Sequence, residues 1–168
     1  AQNRSQYASS TLPAASSMRI GIVVSEWNNE ITDNLLKGAL EVLKEAGIED
    51  QNLQLIHVPG TYELTTGAAF LLEYYKMEGV IAIGSVIRGE TAHFDFVCQS
   101  VAQGIKDVAL QFMRPTIFCV LTDDNKQQSI DRSGGKHGNK GTEAAVACLQ
   151  MVALQSAMQS NVGPGKQL

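Results

Sequence analysis

The sequence predicts an α/β fold, a three-layer sandwich in which a four-stranded parallel sheet carries helices on both faces. Three observations predict it. Four short apolar tracts alternate with four helical tracts along the chain. The apolar tracts are near-continuous rather than alternating, which suits strands covered on both faces. The resulting order, β-α-β-α-β-α-β-α, leaves few topologies once crossovers are right-handed.

Taken in order, the first strand is MRIGIVV at 18–24, short, apolar and β-branched. Residues 31–46 then place Ile31, Leu35, Ala39, Val42 and Leu43 at three- and four-residue spacing, the pattern of an amphipathic helix, and Gly47 stands where a glycine ends one. LQLIHV at 53–58 is the second strand, stopped by Pro59-Gly60, and 63–77 is the second helix. GVIAIGSVI at 79–87 is the third and most apolar strand. The helix over 92–113 is closed by Pro115, after which TIFCVL at 116–121 makes the fourth strand. The last helix spans about 139–159, with Ala144, Ala145, Cys148 and Met151 on one stripe. The core domain is expected over 18–160, between a flexible segment at 1–17 and a tail at 161–168.

Composition narrows the function classes. A chain of 168 residues suggests one domain, large enough to need neither disulfide nor structural metal. An apolar fraction of 44% with 18% charged residues suits an ordinary globular protein. The net charge of −4 and the absence of a basic run argue against nucleic-acid binding. No apolar run approaches a membrane span. Residues 1–17 are Ser-rich without an apolar stretch, which reads as a flexible tail rather than a secretory signal. Cys98, Cys119 and Cys148 form no CxxC pair and are expected to be reduced thiols in the core of a cytoplasmic protein.

Ligands of such sheets bind at the carboxyl ends of the strands, so the residues after each strand carry the functional reading. Ser25-Glu26-Trp27-Asn28-Asn29 contains no glycine, which disfavours a dinucleotide or flavodoxin-type phosphate loop. Its Trp27 either stacks on a flat heterocycle or staples the following helix. In Pro59-Gly60-Thr61-Tyr62-Glu63, the Glu63 carboxylate either answers the dipole of the next helix or joins backbone groups at 61–62 in gripping a ligand. After the third strand, Arg88-Gly89-Glu90-Thr91-Ala92-His93 suggests a helix capped by Thr91, with N–H groups at 89–91 open to a phosphate. His93, in the first turn, is then expected to exchange protons near neutral pH. Asp123 and Asp124 read as helix caps rather than metal ligands. The stretch 131–141, DRSGGKHGNKG, is either an anion loop in which Arg132 forks onto phosphate or a glycine-rich helix-to-helix turn.

Three segments then carry a family resemblance. VPGTYEL, GSVIRGETAHFDFV and IDRSGGKHGNKGTEAA resemble, in order and spacing, the V-P-G-x-x-E, G-x-V-I-R-G-x-T-x-H-F-D and R-x-G-x-K-x-G-N-K-G-x-E-A segments of the lumazine synthase family. The resemblance covers about residues 18–155 and implies a flavodoxin-like sandwich. It implies that Trp27 stacks on a pyrimidine and that Thr61, Tyr62 and Glu63 bind the pyrimidine and its ribityl chain. Ser85, Val86 and Ile87 would line the same substrate. Glu90 and Thr91 would hold phosphate, His93 would transfer protons, and Phe118, Arg132 and Lys140 would come from a neighbouring subunit. Trp27 stands where phenylalanine is common, which preserves a flat apolar face. Glu90 stands where a small residue is common, so its backbone N–H rather than its carboxylate is the expected phosphate contact.

The implied reaction condenses 5-amino-6-ribitylamino-uracil with 3,4-dihydroxy-2-butanone 4-phosphate to 6,7-dimethyl-8-ribityllumazine. It has no redox step, and no cofactor is expected. The implied partners are these small molecules and further copies of the chain, as a homopentamer and a sixty-subunit icosahedral shell. A non-catalytic flavin or lumazine binder, or a structural cage, is the alternative on the same scaffold.

Overall fold

The computed structural model describes residues 6–161. Residues 1–5 and 162–168, the latter all but the first residue of the tail expected over 161–168, lie outside the described residues. Four strands form the main sheet: β1 (Ile20–Ser25), β2 (Leu53–Val58), β3 (Gly79–Ile87) and β4 (Thr116–Asp123). All pair in parallel, in the order β2-β1-β3-β4, with Ile20 opposite both Leu53 and Gly79 and Val80 opposite Thr116. Helices α1 (Asn29–Glu45), α2 (Leu64–Glu73), α3 (His93–Phe112), α4 (Lys126–Arg132) and α5 (Lys140–Asn161) surround it, and a small antiparallel hairpin, β5 (Ser133–Gly135) with β6 (Gly138–Asn139), joins the last two helices. This is the expected flavodoxin-like α/β sandwich.

Strand side chains alternate between two cores, as a pleated strand requires. Ile20, Ile22, Val24, Ile81, Ile83, Cys119 and Leu121 face Ile31, Leu35 and Leu43 of α1 and Ala145, Cys148 and Leu149 of α5. Val23, Val80, Ala82 and Val120 face Leu64, Ala68 and Leu71 of α2 and Val101, Ile105 and Val108 of α3. Each strand is therefore apolar on both sides, which is why these tracts read as continuous runs.

Gly47 ends α1 as expected. At φ +84° it is left-handed, its N–H bonds the Lys44 carbonyl at 2.9 Å, and the Ile48 N–H reaches back to Leu43 at 3.0 Å. Two expectations need correction. Asp123 and Asp124 do not cap α4; Asn125 does, its side chain accepting the Gln128 N–H at 3.0 Å. Asp123 is instead the buried last residue of β4. Cys119 and Cys148 are core residues, but Cys98 on α3 is only half-buried.

The segment before β1 lies against the α1/α5 face. Ala15 is fully buried and its N–H bonds the Ala46 carbonyl at 2.8 Å. Asn52 donates to the Ser16 carbonyl at 3.1 Å, and the hydroxyls of Tyr7 and Ser9 both donate to the Glu45 carboxylate.

Candidate functional site

Strand order reverses direction between β1 and β3, because the chain steps from β1 outward to β2 and then returns past β1 to β3. Connections leaving the two strands diverge there and open a crevice at their carboxyl ends. A cavity of about 500 Å³ occupies this position, lined by Trp27 and Asn28 after β1, Gly60–Glu63 after β2, Ser85–Ile87 at the end of β3, and His93 and Val97 of α3.

Each lining group is placed by an identifiable local cause. Trp27, 72% exposed, projects from the β1 turn and offers a bare indole face. Next to it Asn28 is left-handed, at φ 59° and ψ 43°, a conformation asparagine tolerates better than most residues. Its amide donates to the Ser85 carbonyl at 2.8 Å, tying the β1 turn to β3. Thr61 is buried, whereas Tyr62 and Glu63 are exposed, with Glu63 accepting the Gly60 N–H at 3.0 Å and closing the turn. Glu63 precedes the first residue of α2 instead of lying within its first turn. The hydroxyls of Ser25 and Ser85 are buried without a hydrogen-bond partner, polar capacity retained at the carboxyl ends of adjacent strands.

His93 is the first residue of α3 and faces the cavity. Ala92, not Thr91, occupies the cap position; the Thr91 hydroxyl accepts the His93 N–H at 3.4 Å. Glu90 and Thr91 are exposed on the loop leading to His93 and are not among the cavity's lining residues.

Phe118, Arg132 and Lys140 belong to a different place. They line a groove of about 710 Å³ beside the edge strand β4, with Asp123, Gln128 and Glu143. Arg132 donates to the Gln128 carbonyl at 2.9 Å and lies 3.7 Å from the buried Asp123 carboxylate, which also accepts the Ser129 hydroxyl at 2.8 Å. Lys140 contacts both Glu143 oxygens, at 2.9 and 2.8 Å. Within one chain the other expected residues therefore form two separate sets, one around an aromatic cavity and one in a cation-bearing groove, and Glu90 and Thr91 belong to neither.

Asn28 and Val97 line the cavity without having been singled out from the sequence. Asn28 had a legible signal, an asparagine immediately before a helix at a strand end. Among the described residues, no three His, Cys, Asp or Glu side chains are grouped to hold a metal ion.

The family model for 6,7-dimethyl-8-ribityllumazine synthase matches residues 17–156. A protein of that name from Flavobacterium psychrophilum is 51% identical over 162 residues, covering 96% of this chain and 85% of the relative. Relatives of the same name from Flavobacterium johnsoniae and Cytophaga hutchinsonii are each 53% identical, covering 92% and 90% of this chain and 81% and 95% of theirs. With the family's pattern spanning the whole sheet and both sets of site residues, the chain belongs to the 6,7-dimethyl-8-ribityllumazine synthase family.

Proposed function

We propose that this chain is a transferase that condenses 5-amino-6-ribitylamino-uracil with 3,4-dihydroxy-2-butanone 4-phosphate, releasing water and phosphate. The observation that carries the reading is the cavity at the strand-order reversal, where a flat indole, hydrogen-bonding backbone and an imidazole converge. A pyrimidine stacks on Trp27, with Thr61–Glu63 and the backbone of Ser85–Ile87 taking its polar edge and ribityl chain. The substrate amine attacks the ketone carbon, loss of water gives an imine, the phosphate leaves, and ring closure with loss of a second water completes the product. His93 carries protons between these steps. The N–H groups of Glu90 and Thr91, with Arg132, hold the phosphate and stabilise its departure. Holding two substrates in register can supply up to about 7–11 kcal/mol, so positioning does most of what an intrinsically easy condensation needs.

The separation of Phe118, Arg132 and Lys140 from the cavity supports a site completed by a second copy of the chain. Exposed apolar side chains on α2 and α3, including Phe70, Phe96 and Leu110, favour such association. We place five chains in a ring, and rings in a sixty-subunit shell, in keeping with the short turn over 134–141. The unpaired thiols suit a cytoplasmic setting.

A spectroscopic assay tests the reading. Mixing protein with both substrates is expected to yield lumazine absorbance and phosphate together, faster than the uncatalysed background. Bound pyrimidine with no acceleration would mark a non-catalytic binder or cage. Light scattering gives the particle mass, and about five chains per particle would sink the shell.

A further inference from the structure

Arg88 follows the last residue of β3 and belongs to neither set of site residues, yet it touches the supports of both. Its Nη1 and Nη2 reach the two Asp95 oxygens at 3.3 and 3.0 Å, a two-pronged contact that fixes the orientation of both groups. Its Nε donates to Asp124 at 3.0 Å, and its guanidinium lies 4.1 Å from the centre of the Phe94 ring. Its backbone N–H bonds the Asp123 carbonyl at 2.9 Å. Asp95 and Phe94 immediately follow His93, whereas Asp123 carries the carboxylate that faces Arg132.

We propose that Arg88 is a positioning residue for the reaction: it fastens the first turn of α3, and with it His93 and the 89–91 loop, to the end of β4. The inference rests on the functional reading above. Single exposed ion pairs hold little, but here one planar cation joins two carboxylates and an aromatic ring across three elements, so the geometry is over-determined. The arrangement also separates the cations by role. Arg88 is committed to Asp95 and Asp124, and the phosphate is left to the loop N–H groups and Arg132. Lysine cannot reproduce the fork, because an ammonium is a point charge.

The test compares wild type, Arg88→Ala, Arg88→Lys and Asp124→Asn by steady-state kinetics and by hydrogen exchange of the amides at 89–95. For Arg88→Ala, kcat/KM is expected to fall about 10- to 100-fold, the scale of a modest misplacement of reacting groups. Arg88→Lys and Asp124→Asn should fall less, and exchange at 89–95 should quicken while the rest of α3 is unchanged. In a His93→Ala background, Arg88→Ala should cost clearly less than in wild type. Should Arg88→Ala fail to fold, the two milder variants carry the same comparison. Values of kcat/KM within twofold of wild type, fully additive effects with His93→Ala, or unchanged exchange at 89–95 would overturn the proposal. If wild type shows no turnover, the functional reading fails by itself, and the exchange data still decide whether Arg88 holds this segment.

Discussion

His93 heads α3 and faces the cavity, and the chemistry proposed for it is modest. Imine formation and phosphate loss proceed by proton transfers that water also performs, so His93→Ala is expected to lower kcat about 10- to 100-fold, at or below the low end for acid–base groups. On its proposed role, Arg132→Ala would remove both phosphate positioning and leaving-group stabilisation, and its kcat/KM should drop about 10²–10³-fold with a raised KM for the sugar phosphate. Steady-state rates at low substrate check both, and full rates in both variants would refute the assigned roles. At this scale much of the site was legible. Trp27, Glu63 and His93 each lie two to six residues beyond the end of a strand, and a strand's end is visible where its apolar run stops. Arg88, and the role of Asn28 despite its legible place before a helix, were harder to see. Their importance lies in a left-handed backbone and a web of contacts to β3, α3 and β4, and neither appears in local spacing.

At the scale of elements, helix α4 was implied by the expected caps after β4 but given no bounds, because KQQSIDR holds a single large apolar residue, Ile130, and that residue is itself partly exposed. What defines α4 is its Asn125 cap. The glycine-rich stretch after it is a hairpin whose Asn139 works structurally, accepting the Gly141 N–H at 2.8 Å and donating to the Asn34 carbonyl at 2.9 Å, so that α5 starts pressed against α1. A Cβ at Gly141 would stand 1.8 Å from the Leu35 carbonyl oxygen, a backbone atom that cannot swing aside. Gly141→Ala is therefore expected to cost roughly 3 kcal/mol or more, beyond ordinary overpacking, read as a lower urea midpoint at unchanged m-value.

The other element-scale prediction concerns the segment before β1. The hydrogen bond to Glu45, with burial second, pushes the Tyr7 phenol from its ordinary 10.0 to about 12. Hydrogen bonds from Ser9 and then Tyr7 hold the Glu45 carboxyl below its ordinary 4.5. A raised Tyr7 value means stabilisation complete below about pH 10 and lost as pH climbs towards 12, whereas the depressed Glu45 value means stabilisation present above pH 4.5 and lost on acidification. Amide exchange over residues 6–17, corrected for its intrinsic pH dependence, should thus be most protected between these limits. Tyr7→Phe should remove the alkaline limb and leave the acidic one, which Ser9 sustains; an alkaline limb surviving in Tyr7→Phe would show that the latch lies elsewhere.

For the whole molecule, the α/β class was readable from alternation, but the order β2-β1-β3-β4 was not, since strands apolar on both faces do not announce their neighbours. That order decides where the cavity opens, and it leaves β4 at an edge with the Arg132 groove beside it. A chain carrying its aromatic cavity and its cation groove as separate sets suits the proposed head-to-tail ring, in which each cavity would meet the next chain's groove. The consequence is complementation. Chains with His93→Ala keep an intact groove, and chains with Arg132→Ala keep an intact cavity. When equal amounts are unfolded and reassembled together, random neighbours bring an intact cavity to an intact groove at about one site in four. Specific activity should then recover to about a quarter of wild type, well above the mean of the separately reassembled parents. If each site were instead built within one chain, every site in the mixture would still carry one lesion, and activity would stay at the parental mean.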